Sequence, residues 1–270
     1  MAKQQINIKD FDLFCDVLKS AVKIVESAKF TVNSAGLEIY GMRMSAKSRC
    51  EILSDAISSN DELSFSIENL QLFLKIVSSV KDVHGGDYSG MKFLVDMPFI
   101  RFESKKFKTK FATCDENVIS QWVSKKVTAA MTPVFEFTGN SDMIKRINSH
   151  SFMFSNPKDV RVYIETKDDM ENNAVFATLG NKETDLNNEI TLKLGLVTSG
   201  SLVERDENDL VVGERSIIID LERLNLFNAV QSDNIRFALM NLNCLVGRIS
   251  MTGKDGSFFN LTIYSSILKN

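Results

Sequence analysis

The spacing of apolar positions alternates between a period near two and a period near 3.6 along this 270-residue chain. Ile6 to Lys9 reads as a short strand. Asp10 is placed to cap a helix with Phe11, Phe14, Leu18, Val22 and Val25 on one stripe and Asp12, Asp16, Lys19 and Lys23 opposite. Alternating or β-branched runs follow at 29–33, 37–43, 47–53 and 62–67. Helical spacing returns over about 68–80, where Leu70, Phe73, Leu74 and Val77 face inward and Gln71, Lys75, Ser78 and Ser79 face out. His84-Gly85-Gly86-Asp87 is a turn. Strands at 91–96, 99–103 and 107–113 complete a meander, the last containing the strict alternation Phe107-Lys108-Thr109-Lys110-Phe111.

Residues 115–133 interrupt this rhythm, from Asp115-Glu116-Asn117 to Pro133, with the lone Trp122 between. The pattern then restarts. Val134 to Thr138 is a strand, and Asp142 to Ser149 a short helix with Met143, Ile144 and Ile147 inward and Lys145 and Arg146 outward. Strands are expected at about 160–166, 174–179, 189–198 and 215–220, then a helix at 221–231. Further strands fall near 235–241, 244–251 and 257–267, with a Gly253-Lys254-Asp255-Gly256 hairpin turn. The acidic stretch 203–214 reads as a loop. The segments 63–77 and 217–230 resemble each other and pair Glu68 with Glu222, Leu70 with Leu224, Leu72 with Leu226 and Phe73 with Phe227. A repeat of about half the chain indicates two copies of one domain. The expectation is an α+β protein with a first domain at 1–114, a connector at 115–133 and a second domain at 134–270.

Composition narrows the function classes. A formal charge of −3 argues against a generally basic nucleic-acid coat protein, while leaving a local basic face open. The four cysteines (Cys15, Cys50, Cys114, Cys244) show no metal or disulfide spacing and read as reduced apolar residues. No apolar run approaches the ~20 residues of a membrane span, and Met-Ala-Lys-Gln-Gln lacks a signal-peptide core. These features predict an intracellular protein. The two histidines, His84 and His150, have no ligand-spaced neighbours, and there is no P-loop, GxSxG or HExxH. No enzyme and no cofactor are expected.

Several stretches resemble sliding clamps of the proliferating-cell-nuclear-antigen type. Gly36-Leu37-Glu38-Ile39-Tyr40-Gly41-Met42 resembles that family's strand-loop, and 65–73 and 219–227 its second helices. Asn243-Cys244-Leu245-Val246 through Leu261-Thr262-Ile263-Tyr264 resembles its closing hairpin and final aromatic strand. The chain ends at Leu268-Lys269-Asn270 without the acidic tail of eukaryotic members, and its connector carries Trp122, Lys125 and Lys126. These departures point toward a virus or phage source.

The resemblance implies two clamp domains per subunit, with sheets outside and two short helices each inside. It further implies a homotrimeric ring around duplex DNA, a clamp loader that opens it, and a DNA polymerase and other replication or repair proteins that dock through short peptides. DNA-facing candidates are Lys19, Lys23, Lys75, Lys81, Lys145, Arg146 and Arg223; the same residues also fit ordinary solvated helix faces. The implied peptide pocket contains Met42, Met44, Ile119, Trp122, Leu245 and Tyr264, with Met42 and Tyr264 equally readable as core. Subunits would join through edge strands, 107–113 in the first half and 174–181 or 189–197 in the second. The alternative is a clamp-fold viral processivity factor, or a transcription or repair scaffold, that holds DNA by charge without a ring.

Overall fold

A computed structural model describes residues 4–43, 48–115, 119, 131–154, 160–166, 174–180, 189–205, 207, 211–214, 216–241, 243–253 and 256–268. The chain divides into two compact units: Met1–Ser45 with Arg49–Lys126 and Ser250–Thr262, and Ala46–Ser48 with Val127–Ile249 and Ile263–Asn270. Most of the expected connector lies outside the described residues.

The first unit contains β1 (Gln4–Ile8), α1 (Phe11–Ile24), β2 (Ala28–Asn33), β3 (Gly36–Arg43), β4 (Ser48–Ser54), β5 (Ile57–Ser58), β6 (Leu63–Ile67), α2 (Leu70–His84), β7 (Lys92–Asp96), β8 (Phe99–Glu103) and β9 (Lys108–Ala112). One sheet has the order β5-β1-β7-β8-β9; β4-β3-β2-β6 forms the second run. Local chemistry sets the helix ends. The Asp10 carboxylate accepts the Leu13 N–H at 2.8 Å, and the Asn69 side chain accepts the Leu72 N–H at 2.8 Å. Gly85 closes α2 at φ +58°, a conformation that suits glycine. The helix therefore runs past the expected Val80 to His84. Phe14, Phe30, Phe65, Phe73, Phe93 and Phe102 are fully buried, with Phe30 stacked on Phe65 at 5.1 Å and Phe93 tilted on Phe102 at 4.5 Å. Burying each such ring contributes about 1.5–3 kcal/mol.

The second unit contains β10 (Pro133–Gly139), α3 (Ser141–His150), a 3₁₀ turn (Ser151–Met153), β11 (Arg161–Thr166), β12 (Ala174–Gly180) and β13 (Ile190–Gly200). Then come β14 (Val203–Arg205), β15 (Val211–Glu214), β16 (Ile217–Asp220), α4 (Leu221–Leu226), β17 (Ile235–Met240), β18 (Cys244–Thr252) and β19 (Phe258–Ser266). The hairpin strands β18 and β19 contribute residues to both units. Within the second unit the strand order is β16-β11-β12-β13-β10-β17-β18.

Two expectations for this unit are corrected. The 203–214 stretch is not an open loop: β14 and β15 pair antiparallel, Val203 opposite Glu214 and Glu204 opposite Gly213. Its valines supply strand propensity that the surrounding charges obscure. The predicted helix 221–231 stops at Leu226. Beyond it, the N–H groups of Phe227, Asn228 and Ala229 bond three residues back, forming tight turns. Asn225 and Asn228 are weak helix formers, and Phe227 turns inward against Gly247. A side chain at Gly247 would meet the Phe227 ring at 2.3 Å, so the missing Cβ makes room for it.

The internal repeat survives as a strand-to-helix step in each unit, β6 to α2 and β16 to α4. Leu70 and Leu224 are both buried, as are Phe73 and Phe227. Leu72 departs: it is 48% exposed on the continuing helix α2, while Leu226 is buried where α4 ends.

The tip of the C-terminal hairpin belongs to the first unit through polar contacts. Ser257 Oγ donates to Asp10 Oδ2 at 3.1 Å. Asp55 accepts the Phe258 N–H at 2.6 Å and also holds the Lys9 ammonium. Burial pulls the Asp55 carboxyl upward, but Lys9 and the Phe258 N–H outweigh it and hold the group below the usual carboxylate range. A depressed folded value stabilises above the unfolded value of ~3.9, and that contribution is lost as pH falls through the folded value. Asp55→Asn is therefore expected to cost about 1–2 kcal/mol at pH 7 and to flatten the acid limb of a Tm-against-pH curve. An equal loss at all pH values would eliminate the charge as the cause.

Candidate functional site

The exposed faces of α1, α2 and α3 carry the cations expected to meet DNA. In the first unit Asp12, Asp16, Lys19 and Lys23 lie exposed along α1, and Gln71, Lys75 and Ser79 along α2. Asp16 pairs with Lys19 at 2.9 Å. Asp12 takes the Lys81 ammonium at 2.8 Å and the Tyr88 hydroxyl at 2.9 Å, joining α1 to the end of α2 and the turn after it. Its hydrogen bond to Lys81 raises the lysine above its ordinary pKa. Burial, then Asp12, raises the Tyr88 phenol. Lys75 forms no ion pair among the described residues.

In the second unit the Asn140 side chain caps α3 by accepting the Met143 N–H at 2.9 Å. Ile144 and Ile147 are buried, which turns Lys145 and Arg146 outward. Lys145 lies 3.5 Å from Asp142 and also bonds the Gln231 side chain. The Gln231 amide, and then Lys145, hold Asp142 below the usual carboxylate range.

Arg223 does not join this set. Its side chain is 12% exposed, its Nε lies 3.1 Å from Asp220, and its Nη1 donates to Ser266 O at 3.0 Å. Three residues after Asp220 on a short helix, the guanidinium is drawn inward and ties α4 to β19. It is a structural tether, a role that composition alone does not distinguish from a solvated cation.

The expected peptide-pocket residues separate in a similar way. Met44 and Trp122 lie outside the described residues. Met42 is half-buried in β3 of the first unit, and Ile119 is buried. In the second unit Tyr264 and Met131 pack against a cluster of Ala238, Met240, Cys244 and Val246. Ala238 sits opposite Val246 and Met240 opposite Cys244 across β17 and β18. Leu245, between Cys244 and Val246, is fully buried on the other face of the strand. The neighbours of Leu245 thus form a buried core cluster, over which Tyr264 and Met131 lie half-buried. Period-two alternation from Tyr264 and its pairing partners is the signal that could have identified them.

The strand edges are also resolved. Among the described residues β9 ends its sheet and pairs only with β8. β12 is flanked by β11 and β13, so Ala174–Gly180 of the expected 174–181 edge is not an edge. In β13, Gly195 to Gly200 pairs with β10, while Ile190 to Leu194 pairs only with β12 among the described residues. α3 packs against β13, and the turn that follows α3 exposes Phe152 (78%) and Met153 (53%).

The histidines are held by local bonds. His84 Nδ1 lies 3.0 Å from Asp87 O and its Nε2 lies 3.1 Å from Ser104 Oγ, while His150 Nδ1 lies 2.7 Å from Arg146 O. Among the described residues no group of three or more His, Cys, Asp or Glu side chains is arranged to hold a metal. Among the described residues no helix is long and apolar enough to cross a membrane.

No protein-family model and no curated protein matches the sequence. Solved structures do. Proliferating Cellular Nuclear Antigen from Entamoeba histolytica aligns over 99% of this chain and 98% of its own, with a TM-score of 0.66 and 16% identity. This chain has the sliding-clamp fold. The same clamp architecture appears in the PCNA2-PCNA3 complex from Sulfolobus tokodaii, at TM-score 0.60 and 12% identity over 98% and 99% of the two chains. It appears again in A. fulgidus PCNA bound by the C-terminal region of FEN-1, at TM-score 0.66 and 10% identity over 100% and 99%. The clamp fold accounts for the paired α+β units and for their few helices.

Proposed function

We propose that this chain is a sliding clamp: a non-enzymatic ring that encircles duplex DNA and tethers a DNA polymerase and other replication or repair proteins. The full-length correspondence to clamps, at both ends of the alignment, is the observation that carries this reading. Cations on the exposed faces of α1, α2 and α3 supply weak, sequence-blind phosphate contacts. Contacts of that kind, with affinities of roughly 10⁻⁴ to 10⁻⁶ M, centre a duplex without preventing movement. Topology then provides retention.

Three copies close the ring, β9 of one adding to the Ile190–Leu194 edge of the next. Strand addition extends both edges, and the exposed Phe152 and Met153, on the turn after the helix that packs on β13, gain cover from the neighbouring copy. One of the similar structures is a complex between clamp subunits, which supports assembly from several copies. The Tyr264 cluster receives short partner peptides; another similar structure is a clamp with a bound C-terminal region. A clamp loader opens the ring. The protein needs no cofactor and acts inside the cell at replicating DNA.

The test is retention on a nicked circular duplex that is then cut once. The ring is expected to stay on the circle and to leave the linear product at unchanged salt. Equal retention on both, released only by raising the salt, would replace the ring by a charge-held factor.

A further inference from the structure

The ion pairs on the exposed helix faces repeat a layout that fold stability does not explain. Asp12 is the second residue of α1, and Asp142 is the second residue of α3. Each carboxylate holds a lysine, Lys81 at 2.8 Å and Lys145 at 3.5 Å. Each also reaches the segment after the second helix of its unit: Asp12 accepts the Tyr88 hydroxyl at 2.9 Å, and Asp142 accepts the Gln231 amide at 3.1 Å. Asp16, about one turn beyond Asp12, takes Lys19 at 2.9 Å.

These carboxylates are 57%, 63% and 59% exposed for Asp12, Asp142 and Asp16. Exposed pairs of this kind contribute little to stability. The helix dipole favours Asp12 and Asp142 in their first turns, but Asp16 lies beyond its reach. On helix faces that the DNA-encircling reading turns toward phosphates, three acids among the few cations therefore have their main consequence in DNA binding. A lysine already neutralised by a carboxylate releases no further counterion to a phosphate unless its pair breaks.

We propose that Asp12, Asp16 and Asp142 are built-in counter-charges that loosen the grip on duplex DNA by withholding Lys81, Lys19 and Lys145 from the phosphates. The proposal rests on the DNA-encircling reading above. Lys75 and Arg146 remain for phosphate contact. Each phosphate neutralised adds about 0.9 to the slope of log affinity against log salt, so three withheld lysines lower that slope by about 2.7. Between 50 and 200 mM salt this amounts to a roughly 40-fold smaller loss of affinity. A ring held by topology tolerates such weak contact and slides more freely for it.

The test compares the unaltered protein with Asp12→Asn/Asp16→Asn/Asp142→Asn and with a charge-matched control, Asp61→Asn/Glu62→Gln/Glu207→Gln. Affinity for a short linear duplex is measured by fluorescence anisotropy across that salt range, and retention on circular duplex is measured in parallel. The helix-face variant is expected to bind more tightly at low salt, with a slope steeper by about two to three, while the control shifts by less than about one. Asp16→Asn alone, which leaves the helix start intact, is expected to steepen the slope by about one. Equal steepening in the helix-face variant and the control would overturn the proposal, as would an unchanged slope with the circle still retained. If none of the proteins binds the linear duplex or stays on the circle, the DNA reading itself falls.

Discussion

If the proposed ring forms, Phe152→Asp is expected to convert it into single chains of 30.3 kDa. Phe152 is 78% exposed and Met153 53% exposed, on the turn that follows α3. α3 packs on β13, whose Ile190–Leu194 segment pairs only with β12 among the described residues. In the proposed ring, a neighbouring β9 added to that segment puts the next copy against the α3 side of the unit, where the turn carrying Phe152 follows. Covering the ring contributes about 1.5–3 kcal/mol per interface, whereas an aspartate in its place adds the cost of burying an unpaired carboxylate. The proposed ring of three would repeat that loss at every junction. Because Phe152 contributes little to the core of its own unit, far-ultraviolet circular dichroism of the separated chain is expected to match the parent. Sedimentation or light scattering reads the mass directly. A mass equal to the parent's, with the fold intact, would remove this turn from the subunit contact. Phe152→Ala deletes the ring without adding charge and is expected to give only concentration-dependent dissociation.

Legibility of the fold in the sequence follows the physical range of each determinant. α1 and β9 were readable because a cap, an amphipathic stripe or an alternating run is written within a few residues. The end of α2 required recognising Gly85 as a left-handed cap, not merely as part of a turn. β14 and β15 were hidden because each is short and its valines are interspersed with charges; only their mutual pairing makes them strands. Edge status is less local still. β12 and β13 have similar apolar content, and only the sheet order shows that β12 is enclosed while half of β13 is not. Arg223 looked like the other helix cations because its inward pull comes from Asp220 and from Ser266, 43 residues away. Which face of β18 Leu245 occupies is equally non-local, because a one-residue change of register moves a strand residue to the opposite face.

The two faces of β18 supply a sharp contrast between two substitutions. Tyr264→Ala is expected to weaken binding of a short peptide with aliphatic and aromatic anchors by roughly 30- to 100-fold, about 2–3 kcal/mol. Tyr264 packs over the buried cluster of Ala238, Met240, Cys244 and Val246, and its own partial burial leaves ring area for an incoming anchor. Two or three anchors on such a surface, less the ordering cost, give a micromolar site at about −8 kcal/mol. Losing one wall is then enough to release the proposed partner peptide at working concentrations. Leu245→Ala removes a side chain buried on the other face, so its expected cost is stability, about 2–5 kcal/mol, with peptide affinity nearly unchanged for molecules that remain folded. Isothermal titration and thermal denaturation of both variants separate the two effects. If Leu245→Ala weakens the peptide as much as Tyr264→Ala without lowering Tm, the peptide lies on the Leu245 face. Undiminished affinity in Tyr264→Ala would instead move the docking surface away from this cluster altogether.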